Sequence, residues 1–180
     1  MHLLPGKVAA ARVSGILHAK YQVHGYYVSL TASKISALDP TGQVDFGGNE
    51  YIAAGHIGMA PQRVRLEDRY QWWNLVSGSY FVQCNETLNL AEDEIALIEP
   101  DDRLLRAGAS HVPQFVRGHV APVELLLEVK ATCLRVKENA RISRVRLFRL
   151  DIAKNMPARL RKPSARSRKP TRLKKETTRA

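Results

Sequence analysis

"SYFVQCNETLNLAEDEIALIEPDDRLLRAGAS", Ser79–Ser110, decides the fold class of this 180-residue chain. Its first twelve residues are rich in Val, Thr, Leu and aromatic side chains and read as extended chain, with a turn at Asn85-Glu86. "EIALIEP", Glu94–Pro100, reads as a second strand. It runs into "EPDDRLLRAGAS", Glu99–Ser110, where a proline, small and polar positions and a glycine give the outline of a binding loop. That loop holds two carboxylates, Asp101 and Asp102, in the positions that would face a ligand.

The same rhythm extends on both sides. "YYVSLTASKI" upstream, and "VELLLEVKATCLRV" and "ARISRVRLFRL" downstream, are further strand-like runs. Turn signals separate them at Asp39-Pro-Thr-Gly, Gly47-Gly-Asn and Val76-Ser-Gly. The opening "KVAAARVSGILHAK", Lys7–Lys20, is the one helical segment. Mostly β with one short N-terminal helix predicts a distorted barrel or jelly roll over residues 1–150. There is no internal repeat.

Length suits one domain with a sizeable core. No apolar run reaches the roughly 18 residues of a membrane span, and the N-terminus lacks the charged start and cleavage site of a signal peptide. Cys84 and Cys133 form no CxxC pair and are expected as two buried thiols in a reducing compartment. These features predict a cytoplasmic protein with no membrane partner.

The chain carries a net charge of +11, unevenly placed. Residues 151–180 hold eleven cations: Lys154, Arg159, Arg161, Lys162, Arg166, Arg168, Lys169, Arg172, Lys174, Lys175 and Arg179. Asp151 and Glu176 are the only acids there, so the segment carries +9. The first 150 residues balance 17 bases against 15 acids. With three prolines and almost no large apolar residue, the tail cannot offset its ordering entropy alone and is expected to be extended. Cations spread evenly among Ser, Thr, Pro and Ala suit contacts to a phosphate backbone. The lack of an amphipathic period argues against a membrane helix.

The motifs of the body occur in an order that resembles the dUTPase and dCTP deaminase superfamily, in particular its archaeal dCTP deaminase-like branch. "QVHGYYVSLTASKI" resembles the first motif, "GQVDF" (Gly42–Phe46) a frequent insert, and Ser79–Ser110 the strand, Asn-Glu turn and phosphate loop. "VELLLEV" and "KENARISRVRLFRL" resemble the two late strands. The resemblance covers about Val13 to Leu150. It implies a dUTPase-like distorted β-barrel, trimers with active sites between subunits, and hydrolysis of dUTP or deamination of dCTP with Mg²⁺ on the triphosphate.

Slot by slot, the chemistry is missing. The acid of the first motif falls at Ser29, and a hydroxyl weakens any Mg²⁺ site. Where the family reads Pro-Arg-Ser-Ser-Leu-Leu-Arg, this chain reads Pro100-Asp-Asp-Arg-Leu-Leu-Arg106. Two carboxylates beside a triphosphate cost on the order of 4 kcal/mol per close like-charge pair. No acid lies between Asp102 and Glu124, and Arg117 or a neighbour takes the place of the water-binding Asp. The glycine-rich arm that closes over substrate is replaced by the basic tail. Arg106 and Glu128 match surviving family positions, the latter the catalytic Glu of the deaminase branch. The plain reading gives Arg106 a structural ion pair and sets Glu128 on a strand face.

Other candidates are weaker. His2, His18, His24, His56, His111 and His119 are scattered without zinc-ligand spacing, so no metal or cofactor is expected. "YQWWNL", Tyr70–Leu75, offers base stacking, but packing in a core or interface accounts for it better. Arg144 and Arg146 sit on a late strand where an ordinary member carries less charge, either to contact RNA or to disfavour a trimer.

The expectation is therefore a catalytically inactive dUTPase-fold protein that binds RNA through its tail. A globular head with a proline-punctuated basic extension is the build of ribosomal proteins, which makes ribosomal RNA and neighbouring ribosomal proteins the expected partners and the ribosome the location. A divergent dUTP hydrolase or dCTP deaminase using Glu128 and Arg106 is one alternative. A chromatin-like DNA binder with "KPSARSRKP" in a minor groove is the other. A homotrimer is compatible with these readings but not favoured.

Overall fold

Apolar side chains recurring along the strands make about half of the described residues extended, and the strands pair into two antiparallel sheets. The computed structural model describes residues 1–39 and 41–151. In chain order the elements are β1 (His2–Leu3), α1 (Gly6–Ala10), β2 (Val13–Ser14), α2 (Ala19–Gln22), β3 (Val28–Leu38), β4 (His56–Met59), β5 (Trp72–Cys84) and β6 (Thr87–Asn89). They continue with β7 (Glu94–Pro100), α3 (Asp102–Arg106), β8 (Ala109–His111), β9 (Gln114–Val116), β10 (His119–Val120), β11 (Glu124–Lys137) and β12 (Arg141–Arg149). The main sheet runs β8-β11-β5-β3-β12-β7-β9, with β1 added to β12 and β4 to β3. A small sheet, β10-β6-β2, lies apart from it.

β3 joins the two halves of the main sheet. Its first residues, Val28–Thr31, pair with β12, whereas Ala32–Ala37 pair with β5. Five consecutive residues, Val28 to Ala32, are buried. The core gathers Leu30, Ile35, Leu75, Ile98, Leu127 and Leu147 from the central strands. Burying one such side chain contributes roughly 1.5–3 kcal/mol.

The helix expected at Lys7–Lys20 and the turn expected at Val76-Ser-Gly are both revised, each for a physical reason. Lys7–Lys20 is not one helix: α1 ends at Ala10, Val13–Ser14 pairs with β6, and α2 starts at Ala19. Gly15 adopts φ +80 with Asn85 O where its Cβ would lie, so the chain breaks there to join the small sheet. Val76-Ser-Gly is no turn; it lies inside β5, which continues back to Trp72. Its irregularity is taken up across the ladder, where the β11 register shifts between Val129 and Cys133. "EIALIEP" coincides with β7, and the Asn85-Glu86 turn separates β5 from β6. Among the described residues no helix is long and apolar enough to cross a membrane. Cys84 and Cys133 are both free, but only Cys84 is buried; Cys133 faces outward on β11.

Candidate functional site

The Glu99–Ser110 loop folds into α3 because Asp101 caps it. Asp101 has extended backbone, and its carboxylate accepts the Arg103 N–H at 2.9 Å, satisfying a first-turn donor. The same oxygen receives Arg103 Nε at 3.3 Å. Asp102 stands in the first turn, where a negative charge is favoured. It accepts Nη2 of Arg144 at 2.5 Å, and Arg144 also donates to Pro100 O at 3.3 Å. Two residues further along β12, Arg146 Nε meets Glu99 at 2.7 Å. Both arginines lie over the ring of Tyr27, at 5.6 and 5.9 Å. The two carboxylates thus serve the protein itself, one as a cap and one as the partner of a mostly buried arginine.

The surrounding cleft, of about 370 Å³, is lined by His24, Tyr27, Ser29, Asp101, Asp102, Arg103, Arg141 and Arg144. Ser29 is 1% exposed, and its hydroxyl lies 3.3 Å from His24 Nε2. Ser29 is withdrawn from the cleft, and Asp101 and Asp102 are each paired with an arginine through one oxygen. No group of three or more His, Cys, Asp or Glu among the described residues is placed to hold a metal ion.

Glu128 sits elsewhere, on β11 between Ser79 and Ser110 of the neighbouring strands. Its carboxylate is half exposed and paired with Lys130 at 2.8 Å. It borders a pocket of about 290 Å³ with Ser110, His111, Val112 and Pro113. Arg106 lines neither cavity and, among the described residues, has no carboxylate partner, so the expected ion pair is absent. Arg117 lies in the turn between β9 and β10, away from the α3 cleft.

Three buried polar groups escaped the reading of the sequence. His111 has Nδ1 3.1 Å from Val112 O and Nε2 2.7 Å from the Ser143 hydroxyl. The carbonyl requires a donor, so Nε2 accepts from Ser143; burial pushes the imidazole pKa down and keeps it neutral. Glu86 is fully buried and accepts from Gln22 Nε2, Thr31 N and Thr31 Oγ1 at 2.6–2.8 Å. Glu94, on the core face of β7, is held by Arg12 at 2.7 Å and Arg149 at 3.1 Å. The only sequence signal for Glu94 was an acid in phase with Ala96 and Ile98, and for His111 there was none.

Trp73 is buried and donates Nε1–H to Met59 O at 2.9 Å, which accounts for half of "YQWWNL" by packing. The tail cations Lys154, Arg159, Arg161, Lys162, Arg166, Arg168, Lys169, Arg172, Lys174, Lys175 and Arg179 lie outside the described residues.

No protein-family model matches the sequence, and no curated protein matches it. Among solved structures, the 2'-deoxycytidine 5'-triphosphate deaminase of Agrobacterium tumefaciens superposes with a TM-score of 0.57 at 16% identity, over 81% of this chain. The chain spans about half of that protein, 47% of its length. Two variants of the dUTPase from Staphylococcus bacteriophage 80alpha each superpose with a TM-score of 0.39 at 8% identity, over 51% of this chain and 83% of theirs. The deaminase superposition, with the antiparallel topology described above, gives the body the dUTPase-like β fold of the dCTP deaminases.

Proposed function

We propose that this protein is a catalytically silent relative of the dCTP deaminases that binds RNA, with ribosomal RNA as its partner. The observation that carries the reading is the separation of charge: +9 on residues 151–180 against a nearly neutral body. Cations at that density bind a phosphate backbone and release its counterions, whatever the sequence. Support for catalytic silence comes from the α3 cleft, where Asp101 and Asp102 occupy the phosphate-loop positions and are committed to Arg103 and Arg144. A triphosphate entering there would meet two carboxylates and would have to break the cap of α3 or the Asp102–Arg144 pair.

Sedimentation of a cell lysate through a sucrose gradient tests the partner, with the full chain compared to one ending at Leu150. Co-migration of the full chain with ribosomal subunits in moderate salt, lost in the shorter chain, is the expected result. A full-length protein that stays at the top of the gradient overturns it. The rival reading, a deaminase or hydrolase, is supported by Glu128 at the edge of its pocket. It predicts dCTP or dUTP turnover that disappears in Glu128→Ala; the proposal predicts none in either protein.

A further inference from the structure

The body has its own unneutralised cations, and they cluster. Arg135 and Lys137 alternate with buried Leu134 and Val136 on β11, so both project from the outer face. Across the ladder they face Asn74 and Trp72. Arg135 lies 5.0 Å and Lys137 5.3 Å from the Trp72 ring, and Lys137 is also 5.5 Å from Tyr70. Arg69 covers Tyr70 at 5.4 Å. An aromatic face orients a cation without cancelling its charge, because the ring carries a quadrupole and no net charge.

What sets this group apart is the clustering of its cations on two neighbouring rings. Arg12, Arg103, Lys130, Arg144, Arg146 and Arg149 each pair with a carboxylate. Among the described residues, Arg69, Arg135 and Lys137 do not. Beside them opens a groove of about 410 Å³ to which Arg103 and Arg141 also contribute. Its one acid, Glu138, accepts the Gln71 N–H at 2.7 Å through one oxygen, so cations outnumber acids in the groove.

The geometry points to a second RNA contact here, on the outer face of β5 and β11, in which Arg135 and Lys137 bind successive phosphates of a single strand. Residues two apart on a strand are separated by about 6.6–6.8 Å, so the two cations form a row along which a repeating anion can lie. Arg135, stacked on Trp72, keeps the edge of its guanidinium for two N–H bonds to one phosphate, and Lys137 supplies a point charge to the next. Trp72 and Tyr70 add partly exposed ring surface for an unpaired base. An isolated small anion would use one such cation; a row with aromatic backing fits a polymer. The inference rests on the RNA-binding reading, but the contacts it names lie outside the tail.

The test measures binding of the full chain to a labelled single-stranded RNA of about 30 nucleotides and mixed sequence, across a salt series. Four proteins are compared: unmodified, Arg135→Ala with Lys137→Ala, a tail variant with the eleven tail cations replaced by Gln, and both combined. A control pair, Lys7→Ala with Arg117→Ala, removes the same charge at other exposed positions. Each phosphate contact to a single strand contributes about 0.7 to the slope of log K against log salt, so the body pair is expected to lower it by about 1.4. The control pair should leave the slope unchanged. If the body pair behaves like the control while the tail variant abolishes binding, the body site is overturned and the tail reading survives. If the tail variant binds normally and the body pair does not, the tail reading fails and the body site stands. Thermal melting of each variant excludes misfolding as the cause.

Discussion

Asp102 and Arg144 show how one ion pair ties the start of α3 to β12. The Arg144 side chain is 14% exposed and its Nε has no hydrogen-bond partner, so its charge is offset chiefly through Nη2 and Asp102. Asp102→Ser should cost about 1.5–3 kcal/mol, the range for a hydrogen bond to a charged group, read from the urea midpoint. It should also leave Arg144 free to take an anion: in chains ending at Leu150, calorimetry with pyrophosphate is expected to show no binding without the substitution and measurable binding with it. Absence of binding in both would mean that Asp101 alone suffices to exclude phosphate. Glu94 gives a prediction in pH. The hydrogen bond from Arg12 is the main cause that holds its carboxyl down to about 2, against an ordinary 4.5. The folded state therefore binds this proton more weakly than the unfolded chain. Stability from Glu94 is complete above about pH 4.5 and is lost as pH falls toward 2. In Glu94→Gln that decline should flatten, and stability at pH 7 should drop by on the order of 3 kcal/mol, the lower end for breaking a buried pair. Glu86 works in the opposite direction. Burial pushes its carboxyl up, so its charged form weighs on the fold more as pH rises through that raised value.

At the scale of elements, the meeting of α3 with the β11 bulge leaves no room for a side chain. Gly108 ends the α3 turn at φ +82, and its carbonyl accepts both Lys130 N–H at 2.8 Å and Ala131 N–H at 3.1 Å. A Cβ on Gly108 would stand 2.9 Å from the Ala131 Cβ, which is fixed to backbone and cannot swing aside. Gly108→Ala should therefore lower stability by more than the 1–2 kcal/mol of the left-handed backbone alone, measured by denaturant unfolding. Ala131→Gly removes the clash but not the φ penalty, so the double variant should recover part of the loss. This junction also marks what the sequence could and could not reveal. "EIALIEP" was legible because one face of β7 is buried and the period of two is clean. The Asn85-Glu86 break and the long late strands were legible for the same reason. Lys7–Lys20 was not, since its helical composition yields to pairing of Val13–Ser14 with β6, a contact with residues far along the chain. α3 was hidden because a five-residue helix leaves almost no periodic trace, although Asp101 three residues before Leu104 is an N-cap in plain view. Of the site, the acids Asp101 and Asp102 could be read directly, but the partner of Asp102 could not, because Arg144 lies 42 residues away.

The whole molecule combines a compact unit, Met1–Leu150, with a charge that resides beyond it. Stability and RNA affinity should therefore separate experimentally. The slope of unfolding free energy against denaturant scales with the surface exposed, and residues 151–180 offer almost no large apolar side chain to bury. The last body backbone bond, Leu150 N–H to Asp93 O at 2.7 Å, is retained in a chain that ends at Leu150. Such a chain is expected to keep both the midpoint and the slope of the full protein in urea. Its net charge falls from +11 to +2, so its affinity for single-stranded RNA should drop by orders of magnitude at low salt, with the salt slope falling to the share carried by Arg135 and Lys137. A slope near 1.4 in the shortened chain would locate the remaining contacts on β11. A slope near zero would assign all phosphate binding to the tail, and a large loss of unfolding cooperativity would mean that the last thirty residues belong to the fold as well as to the partner.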